Sequence, residues 1–257
     1  MASDRSWQKI WDDKNLGEHD FTQEPVVITA EEIKRSCQDF TETNEKEVRI
    51  LCKQDTRDDR PQIFKDNGLF LLPKKNGSYY IIKGEGYVDV PDITTPIIDY
   101  HKQLDFELES SMIGDSEMQH LDYAYANSLI RTFIGDPSLV LTIRGRKYTP
   151  MFNFKVNGFD IETQSVQTEV DAGYEGRDKI VLIEAKNSSA TTEIIRQLYY
   201  PYRQWSENTN KIVIPVFFEK RLLNGEKIYY IWQYQFSDVN NYNSIRLVKS
   251  ARYRIVQ

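Results

Sequence analysis

The run Lys179-Ile180-Val181-Leu182-Ile183-Glu184-Ala185-Lys186 constrains the fold more than any other part of the chain. Four consecutive apolar residues, three of them β-branched, read as a strand buried on both faces, and such a strand lies inside a sheet covered on each side. Side chains two apart on a strand share a face, so Glu184 and Lys186 project together. Charges at the end of a buried strand cost several kcal/mol in desolvation unless they are paired or bind a metal. Asp171 ends the preceding strand candidate and meets them if the two strands pair through the Gly-containing turn between them. Two carboxylates on one face make a hard oxygen site suited to Mg²⁺. A lysine ammonium beside them orients or activates a water, or steadies charge developing on a phosphate. The competing reading is an ion pair at a strand end, which leaves Asp171 unexplained. The same acid–any–lysine spacing at Asp12–Lys14 and Glu32–Lys34 lies in polar surroundings.

Around this segment the pattern alternates between helix and strand. Residues 1–28 carry few periodic signals. Thr29 and Glu32 form a capping-box pattern that predicts a helix to about Asp39. Leu69–Pro73 and Ser78–Lys83 flank Asn76-Gly77, which predicts a β-hairpin. Residues 88–106, with Pro91 and Pro96, read as a connector. Ser116 caps an expected long helix over Glu117–Phe133. Strands are expected at Leu139–Ile143, Met151–Val156, Val166–Asp171 and Lys179–Lys186. A helix at Thr191–Trp205 and strands at Lys211–Phe218 and Lys227–Tyr234 follow. This order predicts an α/β (α+β) protein with a mixed sheet flanked by helices over residues 107–257. An N-terminal α+β lobe at 1–106 precedes it, either a plain lobe or a winged-helix arrangement with Lys74 and Lys75 on the wing.

Composition narrows the chemistry. The 257 residues, 40% hydrophobic and 28% charged, are those of a globular chain. No apolar run approaches the roughly 18 residues of a membrane span, and the first residues lack the apolar stretch of a secretory signal. A cytoplasmic protein with no membrane partner is expected. Cys37 and Cys52 are far apart, and His19, His101 and His120 are scattered. That pattern argues against a structural zinc site and against a Ser-His-Asp hydrolase, leaving carboxylates and lysine for any catalysis. The net charge of −6 hides an asymmetry: residues 1–122 hold 26 acids and 15 bases, residues 123–257 hold 13 acids and 18 bases. The second half is thus the part expected to meet phosphate.

The stretches Gln167-Thr-Glu-Val-Asp171-Ala-Gly-Tyr and Val181-Leu-Ile-Glu184-Ala-Lys186-Asn resemble the active-site hairpin of type II restriction endonucleases in the PD-(D/E)XK superfamily. Arg60–Pro73 and Ser116–Tyr125 are also similar to that group, so the likeness spans roughly residues 60–205. It implies a PD-(D/E)XK nuclease core that hydrolyses double-stranded DNA at a short site with Mg²⁺, leaving 5′-phosphates. Asp171 and Glu184 would be the metal ligands and Lys186 the catalytic lysine. Val170 stands where a proline often precedes the first acid. Glu117 and Gln197 are further catalytic candidates by the same resemblance, Tyr200 faces the site in some members, and Glu169 is placed to support Asp171.

Basic residues suggest a DNA face: Lys74 and Lys75 on the hairpin, Arg144, Arg146 and Lys147 around a Gly turn, Arg196 and Arg203 on the helix after the lysine, and Arg252 and Arg254 near the C-terminus. One Asp-Glu-Lys set cuts one strand, so a homodimer is the expected form of an enzyme that cuts both. The alternatives are a PD-(D/E)XK nuclease of repair or recombination and a non-catalytic DNA-binding protein on the same scaffold.

Overall fold

The computed structural model describes residues 2–187 and 189–257. The N-terminal lobe runs α1 (Ala2–Asp13), β1 (Val26–Thr29), α2 (Ala30–Ser36), α3 (Thr43–Lys46), α4 (Val48–Leu51) and α5 (Gln62–Asn67), then the hairpin β2 (Leu69–Lys75) and β3 (Ser78–Lys83). The sheet order is β1-β3-β2. Helix, strand, helices and hairpin follow one another, which makes the lobe α+β. The capping box is formed: Glu32 N donates to Thr29 Oγ1 at 3.2 Å and Thr29 N to Glu32 Oε2 at 2.8 Å. Gly77, at φ 73°, takes the left-handed position of the turn. The first 28 residues depart from expectation, since α1 buries Trp7 and Ile10, and Trp7 Nε1 donates to Leu51 O at 3.0 Å. That apolar stripe is too narrow to stand out as periodic.

The rest of the chain contributes β4 (Tyr87–Asp89), β5 (Ile98–His101), α6 (Glu117–Ala126), α7 (Leu129–Ile134), β6 (Val140–Tyr148), β7 (Phe152–Val156), β8 (Phe159–Thr163), β9 (Gln167–Glu175), β10 (Lys179–Lys186), β11 (Thr192–Ile194), α8 (Ile195–Ser206), β12 (Ile212–Leu223), β13 (Glu226–Phe236) and β14 (Ile245–Val256). A seven-stranded sheet has the order β5-β14-β13-β12-β10-β9-β6. β6, β9 and β10 are successively antiparallel, and β12, reached through α8, runs parallel to β10. Leu121, Leu129, Ile130 and Phe133 of α6 and α7 pack on one face against Val181, Ile183 and Ala185. Leu182 and Ile180 face the other side, toward Tyr202 and Trp205 of α8. β10 is therefore covered on both faces, and each fully buried Ile, Leu or Val on it contributes about 1.5–3 kcal/mol.

Four expectations change. The single helix over 117–133 is broken at Ser128, φ 63°, where the Asn127 side chain donates to Tyr123 O and stops the turn. The helix expected from Thr191 opens as β11, because Thr192–Ile194 pairs with β4. Residues 88–106 are not a bare connector: β4 pairs with β11 and β5 with β14. The basic C-terminal stretch is strand β14, whose alternate residues Ala251, Tyr253 and Ile255 turn to the core.

Candidate active site

Antiparallel pairing of β9 with β10 runs from Glu175↔Ile180 to Ala172↔Ile183 and stops there. Beyond it, Asp171 Oδ2 accepts the Ala185 amide at 2.8 Å, so the side chain ties the middle of β9, which runs on past the expected end at Asp171, to the end of β10. Glu184 follows on the same face, and Lys186 Nζ donates to Glu184 Oε1 at 2.5 Å and to Gln197 Oε1 of α8 at 3.1 Å. Asp171, Glu184, Lys186 and Gln197 thus meet at one wall of a cleft of about 740 Å³. Glu117, at the start of α6 behind its Ser116 cap, and Glu169 also line it. Arg49, Cys52, Lys53, Asp55 and Tyr79 of the N-terminal lobe line the same cleft.

Burial raises the Asp171 carboxyl above its ordinary value, opposed by the Ala185 amide and Lys186 and assisted by the charges of Glu117 and Glu169. Burial likewise pushes Glu184 up to about 7, with Lys186 pulling down and Asp171 pushing up. Burial disfavours the Lys186 ammonium, but the Glu184 and Glu193 carboxylates outweigh it and hold the group above its usual value. Lys186 is therefore held as a cation, not as a free base.

Glu193 was not singled out by sequence reasoning. It lies on β11, fully buried, 3.9 Å from Lys186 Nζ, and neither carboxylate oxygen has a hydrogen bond. Burial pushes it up to about 9. Its one sequence signal is an acid directly before the apolar pair Ile194-Ile195.

Among the described residues, no cluster of three or more His, Cys, Asp and Glu side chains is arranged to hold a metal ion. Asp171 and Glu184 are nonetheless a suitable pair. Both are hard oxygen donors raised by burial, Asp171 further by the charges of Glu117 and Glu169 and Glu184 by that of Asp171, a repulsion that a divalent cation relieves. Mg²⁺ is commonly held by one or two carboxylates, with waters and substrate phosphate completing its shell.

The expected basic face is only partly assembled. Arg196, 3.7 Å from Asp55, lines the cleft. Arg146 pairs with Glu169 at 3.2 Å, Arg144 with Asp122, and Lys147 lies 5.9 Å over the Trp205 ring, all on or beside β6. Lys74 lies 5.1 Å over Tyr80, and Lys75 is exposed on the hairpin. Arg203 corrects the sequence reading. It is 5% exposed and holds Val239 O at 3.0 Å, Asn240 Oδ1 at 2.8 Å and Glu207 at 2.6 Å, which ties α8 to the segment after β13. Arg252 and Arg254 lie on β14, separated from β10 by β13 and β12. Arg252 donates to Thr95 O at 2.8 Å, and Arg254 pairs with Asp99 and Glu226, each at 2.7 Å. Tyr200 does not face the site either; it is buried and donates to Pro73 O at 2.8 Å, joining α8 to the lobe's hairpin.

The fold and site define a mixed-sheet α/β protein with a carboxylate–lysine cluster built on the middle of β9 and the end of β10. Residues 82–254 match the family described as a domain of unknown function, DUF6997, and the chain belongs to that family. Residues 4–81 match a second family so described, DUF6996, and the two matches meet within β3. Neither curated proteins nor solved structures yielded a match. No helix among the described residues is long and apolar enough to cross a membrane.

Proposed function

We propose that the protein is a Mg²⁺-dependent endonuclease of the PD-(D/E)XK kind that acts on double-stranded DNA in the cytoplasm as a restriction enzyme. The observation that carries this reading is the convergence of Asp171, Glu184 and Lys186 on one cleft wall. The order helix, three antiparallel strands, helix, parallel strand around them supports it, since that order suits the resemblance seen in the sequence.

Asp171 and Glu184 would hold the cation, which neutralises the scissile phosphate and lowers the pKa of bound water. Asp171 is anchored through Oδ2 by the Ala185 amide, which leaves Oδ1 outside that hydrogen bond. Lys186, kept protonated by its acid neighbours, stabilises negative charge developing on the phosphate. Gln197 fixes the direction of that ammonium from α8. Lys186→Ala is expected to lose at least about a hundredfold in cleavage rate while duplex binding survives, because the loss falls on the transition state. An equal loss in binding would make Lys186 a phosphate anchor instead.

Incubation of plasmid and phage DNA with Mg²⁺ tests the reading. Discrete bands support restriction, a smear indicates a nonspecific or repair nuclease, and intact DNA overturns the nuclease assignment in favour of a binding protein. Cutting both strands is proposed to require a homodimer, one Asp-Glu-Lys set per strand. Light scattering on a cognate duplex checks this, and a monomer that accumulates nicked DNA would refute it.

A further inference from the structure

We infer that the N-terminal lobe forms the second wall of the DNA channel and grips the phosphate backbone through Arg49 and Lys53; this rests on the nuclease reading above. Asp171, Glu184, Glu117 and Glu169 give the cleft an acidic lining, and the lobe adds Arg49 and Lys53 to the lining of the same cleft. A ligand that fills such a cleft offers oxygens for a cation on one side and negative charge on the other, as a phosphodiester backbone does.

The placement of these two cations is built into the fold. The segment after α4 is hydrogen-bonded to the strand that opens α8: Ile194 N donates to Asp55 O at 2.7 Å, and Arg57 N to Thr192 Oγ1 at 3.1 Å. Tyr87 Oη donates to Gln54 O at 3.1 Å, and Arg196 of α8 lies 3.7 Å from Asp55. The lobe wall is thus held against the elements that carry Glu193 and Gln197.

Both side chains are available. Arg49 is exposed and has no hydrogen bond or ion pair among the described residues. Lys53 is 73% exposed and pairs with Asp55 at 3.6 Å, a contact of little energetic consequence at that exposure. The charge of the first half, which argues against a polyanion there, is unevenly placed. Residues 1–81 hold 16 acids and 13 bases, whereas residues 82–122 hold 10 acids and 2 bases. The repulsive block is the stretch after the lobe, not the lobe itself.

The test is duplex binding by the full chain in EDTA, measured by fluorescence anisotropy over a range of salt. For Arg49→Ala/Lys53→Ala, affinity is expected to fall and the slope of log affinity against log salt to lessen by about two, since each lost phosphate contact removes about 0.9 from it. An unchanged slope overturns the lobe wall and leaves the nuclease reading standing. Wild-type protein that binds no duplex overturns both. Arg49→Gln/Lys53→Gln, which keeps the apolar stems, gives the same readout if the alanine pair melts early.

Discussion

Glu184→Gln and Asp171→Asn are each expected to abolish Mg²⁺-dependent cleavage of duplex DNA, a loss on the order of a thousandfold or more. Each change leaves one carboxylate where the proposed cation needs two, and removes charge where the transition state requires it. The two positions differ in what they do to the fold, and that difference makes the experiment informative. Asp171→Asn keeps an oxygen to accept the Ala185 amide, now made at 2.8 Å, so its melting temperature stays near the wild-type value. Asp171→Ala strands that amide and costs about 1 kcal/mol. Glu184→Gln keeps an oxygen for Lys186 and removes a carboxyl already pushed up to about 7 by burial, so it does not destabilise the cation-free chain at neutral pH. Cleavage gels read beside thermal melts separate the two effects. Near-normal cutting by either isostere would refute the assignment of these acids.

The part of this site that was legible in the sequence is the part specified locally. Lys179–Lys186 has the bounds expected for β10 because a β-branched run leaves the backbone little choice. Glu184 and Lys186 share a face by strand parity alone. Asp171 needed only the pairing of adjacent strands. Gln197 reached Lys186 because α8 follows β10 closely and packs back over it. What was not legible depends on contacts between distant segments. Glu193 is buried because β11 pairs with β4, with Glu193 opposite Val88, a contact about a hundred residues apart in the chain that no local pattern announces. Arg203 looked like a surface charge on a basic helix, yet packing of α8 turned it inward to backbone carbonyls. β14 looked like a charge cluster because its other face supplies Arg252 and Arg254 in alternation with the core residues Ala251, Tyr253 and Ile255. The acidic average of residues 1–122 likewise hid a lobe that places two cations in the cleft.

The cation-free protein is expected to lose stability as pH rises from 6 to 9, and Glu193→Gln to remove much of that loss. The folded-state value of Glu193, raised to about 9 by burial, lies far above the 4.5 of a free glutamate. Between these values the folded chain keeps a proton that the unfolded chain releases. Its contribution is therefore complete below about 4.5 and disappears as pH climbs through 9. The groups facing it are Lys186, which favours ionisation, Glu184 and Asp55, which oppose it, and Arg196 at the cleft wall. Because Lys186 shares the burden, the effect is on the order of 2 kcal/mol, about 4–8 °C in melting temperature for a chain of this size. Glutamine stays neutral throughout, so the variant should melt close to wild type at pH 5 and clearly above it at pH 9. A shallower slope persists in the variant between about 4.5 and 7, because Glu184 is raised in the same direction. If the two melting curves instead run parallel from pH 5 to 9, Glu193 does not change its proton occupancy on unfolding. In that case the carboxylate behind Lys186 is ionised in the folded chain, and the lysine is clamped between two negative charges, not one.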